Sequence, residues 1–410
     1  MGLPNNWVES NLGEVAQYIN GRAFKPSEWE KSGLPIIRIE NLNNPDAQYN
    51  YSSQQFEAKY FVQSGDLLFA WAASLGAFIW RGDNAWLNQH IFKIIPHSCV
   101  DKLYLYYYLC NVVSNLYAKT HGSGMVHITK KPFLSTKIPL PPLAEQHRIV
   151  AKIEELFAEL DRGIAGLEKA KAQLKTYRQA VLKSAFEGKL SHISIESKIS
   201  IEKIASVSTG TTPSTTNSEY YTKGTIPWVA SGALNKTFVT SPTSYVTDKA
   251  LRETRLKIFP KHTLLVALYG EGKTRGKCSE LLIAATINQA IAAINLNEDS
   301  KVIRSYLKWF LIKNYQDIRL KSKGGVQPNL NLSKIKKIEL PICEIEQQQE
   351  IVSAIESRLS LSDSLEKSID SSLKSAEMLR MSILKKAFAG ELVGQDTAEP
   401  LTNISRKTMG

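Results

Sequence analysis

LKTYRQAVLKSAFEGKL (residues 174–190) returns 202 residues later as AEMLRMSILKKAFAGEL (376–392). Arg178/Arg380, Leu182/Leu384, Lys183/Lys385, Ala185/Ala387, Phe186/Phe388, Gly188/Gly390 and Leu190/Leu392 coincide. Upstream, KIPLPPLAEQHRIVAKIEE (137–155) is echoed by KIELPICEIEQQQEIVSAIES (337–357), at an offset growing from 200 to 202. Further back, Asn88-Gln89 aligns with Asn288-Gln289, and LGEVAQYING (12–21) with IEKIASVSTG (201–210). A drifting offset means two copies of one plan with loops of unequal length.

Each copy has two textures. The first part (1–140 and 193–340) carries short apolar runs, LPIIRI, DLLFAWAA, IPWVA and HTLLVALY, punctuated by Gly, Pro, Asn and Ser. Those are strand and turn signals, with helix expected around Asp101–Lys119 and Val302–Lys313. The second part opens at a proline brake (Pro139, Pro141, Pro142; Pro341) and predicts one long helix, Leu143–Glu187 in copy one and Glu344–Ala389 in copy two. The first seam runs Val150, Ile153, Phe157, Leu160, Ile164, Leu167, Leu174, broken by Lys171 and Arg178. The second runs Ile351, Ile355, Leu359, Leu361, Leu365, Ile369, Leu373, and Gly188 and Gly390 supply the helix stops.

A helix of about 45 residues spans roughly 65–70 Å, and an apolar seam of that length needs a cover. The simplest cover is the other copy's helix, in an antiparallel coiled coil. The expected fold is therefore mixed α/β (α+β): two globular domains joined by two long antiparallel coiled-coil helices, with an internal pseudo-two-fold repeat. Its parts are domain one (1–140), first spacer helix (141–192), domain two (193–340), second spacer helix (341–392) and a tail (393–410). Pseudo-two-fold chains suit duplex DNA, and two unlike domains imply two unlike half-sites.

Composition narrows the class. Of 410 residues, 43% are hydrophobic and 22% charged, which describes a folded globular chain rather than a disordered or fibrous one. The net charge is +12, and residues 193–340 concentrate it, with 22 Lys and Arg against 11 Asp and Glu. A local basic surface points to a polyanion partner. No apolar run approaches the roughly 18 residues of a membrane span, and the start, MGLPNNWVES, lacks a signal-peptide pattern. A cytoplasmic protein with no membrane partner is the expectation. Cys99, Cys110, Cys278 and Cys343 form no C-x-x-C pair and read as small buried hydrophobes.

Two variable domains, each followed by a helix, resemble the specificity subunit of type I restriction–modification systems. The motifs that carry the likeness are IPLPPLAEQHRIV at the first helix start and RQAVLKSAFEGKL at its end, both echoed in copy two, so it covers about 1–392. It implies target recognition domains that each read half of a bipartite, asymmetric site on double-stranded DNA. It implies helices that space those domains and dock two adenine-N6 methyltransferase subunits, with two ATP-dependent restriction subunits added. The chain itself is then a non-catalytic reader without cofactor or metal, S-adenosylmethionine, ATP and Mg²⁺ belonging to partner subunits. Partner-facing candidates are Gln146, Arg148, Arg178, Phe186, Gln348, Arg380 and Phe388. The second helix opening, LPICEIEQQQEIV, departs from the proline-rich form.

DNA-facing candidates lie in two loops per copy. DLLFAWAASLG (66–76) and HTLLVALYGEGKTRGK (262–277) each run an apolar strand into a small-residue loop, giving Trp71, Ser74 and Gly76, and Tyr269, Lys273, Arg275 and Lys277. Glycine lets backbone approach DNA, and the cations suit phosphates or guanine edges. The glycine-rich turns before the helices add His121, Ser123, Gly124, His127, Lys130 and Lys131, and Lys321, Lys323, Gln327 and Asn329. Three rival readings exist. Ala267 to Thr274 fits a relaxed phosphate loop of a nucleotide-binding protein, provided a helix follows. Asp46 with Glu57 and Lys59 fits a sparse metal-nuclease pattern. A coiled-coil protein adaptor explains the helices but leaves the basic domain without a role.

Overall fold

The apolar runs DLLFAWAA and HTLLVALY form the central strands of two similar sheets. The computed structural model describes residues 3–44, 46–117, 128–193, 197–269, 274–315, 318 and 330–394. The chain divides into two units, residues 1–167 with 371–410, and residues 168–370.

In unit 1 the main sheet is antiparallel, in the order Ala16–Asn20, Ile91–Pro96, Leu67–Ala70, Gly76–Ile79. A second sheet runs Asn50–Ser52, Leu34–Ile37, Ala85–Leu87, Phe61–Val62, with one parallel pairing between Leu34–Ile37 and Ala85–Leu87. Val8–Asn11 pairs with Lys137–Leu140, so the module's first and last strands lie side by side. Unit 2 repeats the plan: Ala205–Thr209, Ile291–Leu296, Leu264–Ala267, Cys278–Leu281, plus a parallel edge strand, Phe238–Val239. Its second sheet is Ser244–Val246, Ile226–Val229, Thr286–Ile287, and Ser197–Ser200 pairs with Glu339–Ile342. All four residues of each of the two strands Leu67–Ala70 and Leu264–Ala267 are buried, as uninterrupted apolar runs require.

The helices Lys102–Tyr117 and Arg304–Lys313 cover one face of each main sheet. After each closing strand begins a 44-residue helix, Leu143–Phe186 and Ile345–Phe388. Each unit contains the first half of one long helix and the last half of the other. In unit 1, Arg148 donates to the carbonyl of Gly394, and Arg380 pairs with Asp161. In unit 2, Lys171–Asp370 (2.6 Å) and Arg178–Asp363 (2.5 Å) climb one helix by seven residues while descending the other by seven. The helical segments are antiparallel within each unit. Arg178–Asp363 and Arg380–Asp161 are the same pair built twice.

The second seam keeps Ile351, Ile355, Leu359, Ile369 and Leu373 of the expected line and departs from it at Leu361 and Leu365. Leu361 and Leu365 are 60% and 47% exposed, whereas Ser362 is buried at 1%. Ile351, Ile355, Leu359 and Ser362 follow steps of four, four and three residues, Ala376 and Ile383 continue at multiples of seven, and all are buried. A leucine one residue ahead of that phase turns outward.

Gly163 and Gly166 sit inside the first long helix, where an added Cβ meets nothing within 4 Å. Glycine costs about 1 kcal/mol against alanine at such a position. Gly163→Ala and Gly166→Ala are each expected to raise unit 1 stability by about that amount. The check is a higher urea midpoint at unchanged m-value.

Candidate nucleic-acid interface

In unit 1, residues 71–75 link the strands Leu67–Ala70 and Gly76–Ile79, and the tight turn forces Ala73 to a φ of 57°. The Trp71 amide donates to the carbonyl of His90 (3.1 Å), and the Ile128 amide donates to the carbonyl of Trp71 (3.0 Å). One residue thereby ties three segments together: the hairpin loop, the Asn88–Gln89–His90 turn, and the chain returning after the glycine-rich stretch. Unit 2 has the same staple, with Leu268 donating to Ala290 (2.8 Å) and Leu330 donating to Leu268 (3.2 Å).

The turn itself is fixed by backbone. Asn88 donates to Ile37 and accepts from Ile91; Asn288 donates to Val229 and accepts from Ile291. A neighbouring strand end presses against it through glycine. A Cβ on Gly21 would lie 2.0 Å from the Asn88 oxygen, and one on Gly210 would lie 1.8 Å from the Ile287 oxygen. Only glycine permits that approach, which accounts for the glycine closing both LGEVAQYING and IEKIASVSTG.

On this common frame the side chains differ. In unit 1, Trp71 donates from Nε1 to Asn20 Oδ1 (3.1 Å), stacks on Phe92 and meets His90 edge-on. Gln89 Nε2 lies 3.1 Å from His90 Nε2. Arg22, bridged to Asn88, extends over the Phe56 ring (4.3 Å) and donates to Glu28 (2.9 Å). The Arg22 guanidinium, with help from the Lys25 amide, holds the Glu28 carboxyl down to about 2. In unit 2, Leu268 and Ala290 replace the tryptophan and histidine, and Thr212 donates to Gln289 Oε1.

Of the residues singled out from sequence, Trp71, Ser74 and Gly76 sit in or beside the first hairpin loop, partly exposed. Lys130 and Lys131 are exposed immediately beyond Ile128. Tyr269 is 40% exposed next to the Leu268 staple, and Lys277 donates to Asn235 Oδ1 (2.8 Å). Arg275 departs from expectation: it is 9% exposed, buried rather than a surface cation. His121, Ser123, Gly124, His127, Lys273, Lys321, Lys323, Gln327 and Asn329 lie outside the described residues. The phosphate-loop reading fails on connectivity. Beyond Thr274 the chain turns directly into Cys278–Leu281, antiparallel to Leu264–Ala267, where a phosphate loop needs a helix. Of the sparse acidic pattern, Glu57 pairs with Lys59 (2.6 Å).

The expected partner-facing set is corrected more heavily. Gln146 and Gln348 are fully buried. Gln146 accepts from the Asp101 amide (2.8 Å) and donates to Cys99 and Pro141 carbonyls (3.0 Å each). Gln348 does the same with Ile303, Lys301 and Cys343. Each clamps a helix start to its module. Phe186 and Phe388, each 6% exposed, are core residues of units 2 and 1. Arg178 and Arg380 are spent on helix–helix ion pairs, and Arg148, exposed, donates to Gly394. Asn20, Arg22, Gln89, His90, Thr212 and Gln289 were not singled out. The recurrence of Asn-Gln and of the strand-end glycine was the signal for them.

Comparison with known proteins gives a consistent result. The family model for the type I restriction modification DNA specificity domain matches twice, over residues 4–169 and 196–375. The chain is 28% identical to the EcoBI specificity subunit of Escherichia coli, covering 97% of this chain and 89% of that one. It is 25% identical to the EcoKI specificity subunit of Escherichia coli K12, covering 97% and 91%. Among solved structures, a chain from work on assembly and conformational transition of the type I R-M system superposes with a TM-score of 0.74. The match covers 95% of this chain and 100% of that one, at 18% identity. The HsdS subunit of Thermoanaerobacter tengcongensis gives 0.58, covering 95% and 98%, also at 18% identity.

Proposed function

The chain belongs to the type I restriction modification DNA specificity family, and from that premise we propose that it reads a two-part, asymmetric site on double-stranded DNA for partner enzymes. The observation that carries this reading is the staple built twice. One backbone frame presents Trp71, Gln89 and His90 in unit 1 and Leu268, Gln289 and Ala290 in unit 2. Equal frames with unequal side chains suit two half-sites of different sequence. Lys130, Lys131 and Lys277 then serve phosphates, and Trp71, Ser74, Gly76 and Tyr269 lie where base edges or sugar come close.

In this reading the chain is a non-catalytic cytoplasmic subunit. The long helices set the gap between half-sites and dock two adenine-N6 methyltransferase subunits, to which two ATP-dependent restriction subunits add. S-adenosylmethionine, ATP and Mg²⁺ are held by those partners. Five large apolar residues of the second long helix, Leu361, Leu365, Met378, Leu379 and Met381, are exposed and supply docking area in place of the buried glutamines and phenylalanines.

The test is a genome-wide map of N6-methyladenine in cells carrying this chain with its methyltransferase, against cells lacking only this chain. An asymmetric two-part motif with a fixed gap is the expected result. A heptad inserted into each long helix lengthens it by about 10 Å, or about three base pairs. The insertion is expected to change the gap and leave both half-site sequences alone. A stable, chain-bound methyltransferase that yields no motif sinks the reading and favours the protein adaptor.

A further inference from the structure

Three residue types recur where the two staples form, and the fold explains two of them. Gly21 and Gly210 are required by close backbone approach. Asn88 and Asn288 hold the turn through their backbones, and the Asn288 side chain also accepts from the Ala290 amide (3.2 Å). Gln89 and Gln289 have no such task. Among the described residues their side chains close no sheet, cap no helix and fill no core. Gln89 is partly exposed and Gln289 exposed, each beside the hairpin loop and the chain returning from the glycine-rich stretch.

Each carboxamide is oriented by one neighbour and keeps the rest of its capacity. Gln89 meets the imidazole nitrogen of His90 through Nε2, and among the described residues its oxygen and its second N–H meet no further partner. Gln289 accepts from the Thr212 hydroxyl through Oε1, which among the described residues leaves a second lone pair and both N–H groups. One donor and one acceptor side by side are what the major-groove edge of adenine asks for, since N7 accepts and N6 donates. No other base presents that pair in that order.

We propose that Gln89 and Gln289 are base-reading residues at equivalent places in the two units, each addressing the adenine of an A·T pair. Each half-site then carries an A·T pair at the position its glutamine reaches. The difference between half-sites arises from the surrounding side chains, Trp71, His90 and Arg22 in one unit and Leu268, Ala290 and Thr211 in the other. The inference rests on the proposed DNA-reading function and goes further by naming the base and the atoms.

The experiment uses the full chain in its methyltransferase complex and maps methylated sites for wild type, Gln89→Ala, Gln289→Ala, Gln89→Glu and Gln289→Glu. Gln89→Ala is expected to make one A·T position of one half-site degenerate, lowering discrimination there by about 5- to 150-fold, the equivalent of about 1–3 kcal/mol. The other half-site stays as it was, and Gln289→Ala does the converse. The glutamate variants accept but do not donate, so preference at the same position is expected to move toward cytosine, whose N4 donates. Thermal melting separates misfolding from misreading, and a glutamate variant that folds keeps the test intact where the alanine variant does not. An unchanged motif in folded variants overturns the proposal while the DNA-reading function stands. So does loss of discrimination spread evenly over both half-sites. A wild-type map without a two-part motif overturns the function itself, and this inference with it.

Discussion

Replacing Glu280 by glutamine is expected to destabilise unit 2 by about 3–5 kcal/mol, the usual cost of removing one partner from a buried ion pair. Three side chains converge on this carboxylate: the cations Arg304 (Nε at 3.0 Å) and Lys308 (Nζ at 2.9 Å), and the imidazole of His262 (Nδ1 at 2.9 Å). His262 and Arg304 are about half exposed, and water can replace the carboxylate for them. Lys308 cannot be rescued in that way. Its side chain is 5% exposed, and beyond the carboxylate its ammonium faces the Phe238 ring at 4.4 Å. Burial opposes ionisation of Glu280, but the hydrogen bonds from Lys308 and His262 and the charges of Lys308 and Arg304 outweigh it, so the carboxyl titrates below its ordinary range.

The sign of the pH dependence follows. A carboxyl depressed in the folded state contributes stability above its unfolded pKa of about 4.5 and loses it as pH falls through the folded value. Urea unfolding between pH 7 and pH 3 is expected to show that loss in wild type and its absence at this site in the glutamine variant. The duplication supplies a control. Register and the Tyr104/Tyr306 correspondence place Ile79 and Tyr106 of unit 1 where unit 2 has Glu280 and Lys308. Glu280→Ile with Lys308→Tyr is therefore expected to recover most of the loss, because an apolar pair of fitting shape replaces a buried ion pair at little cost. A glutamine variant as stable as wild type, or a double variant worse than the single, contradicts this account.

That cluster also marks where sequence reading stops. The duplication, the strand runs and the 44-residue helices were legible because each is a local pattern that recurs in the second copy. Glu280 and Lys308 stand 28 residues apart in no pattern, and only the sheet and the covering helix bring them together. Gln146 and Gln348 were legible as a recurrence but misjudged as surface. A polar residue at a helix start reads as solvated, and its burial here depends on partners 45 and 47 residues upstream. Leu361 and Leu365 of the second seam were misjudged for a different reason. With leucine at 359, 361 and 365, periodicity alone does not choose a face, and Arg178, by pairing with Asp363 and Glu366, fixes which side of the helix turns inward. The turn at Asn88-Gln89 was visible as a repeat, but its place beside the hairpin loop is a tertiary fact.

Phe388→Ala is expected to cost unit 1 about 3–5 kcal/mol, the range for emptying a buried aromatic site. Phe388 meets Tyr104 and Tyr108 edge-on, both at 5.2 Å between ring centres, and Tyr104 is fully buried. Ile383, Leu384 and Ala387 enter the same core, alongside Trp7, Ile138 and Ile149 from the opposite end of the sequence. Unit 1 is therefore completed by the last turns of a helix that begins in unit 2. Phe186 does the equivalent for unit 2, against Tyr306 at 5.0 Å and Phe310 at 5.3 Å. This is the physical reason that RQAVLKSAF and RMSILKKAF resemble each other: each fills the same kind of hole, lined by Tyr104 in one unit and Tyr306 in the other. Urea unfolding followed by proteolysis of each unit is expected to show Phe388→Ala lowering the unit 1 transition and Phe186→Ala the unit 2 transition. Phe388→Leu, which keeps most of the volume, costs less. An unchanged midpoint for Phe388→Ala, or both alanine variants acting on one transition, would show that each phenylalanine does not complete the core of its own unit. In the methylation map, the half-site whose unit is weakened loses definition first as temperature rises, so the same two variants also report which unit reads which half.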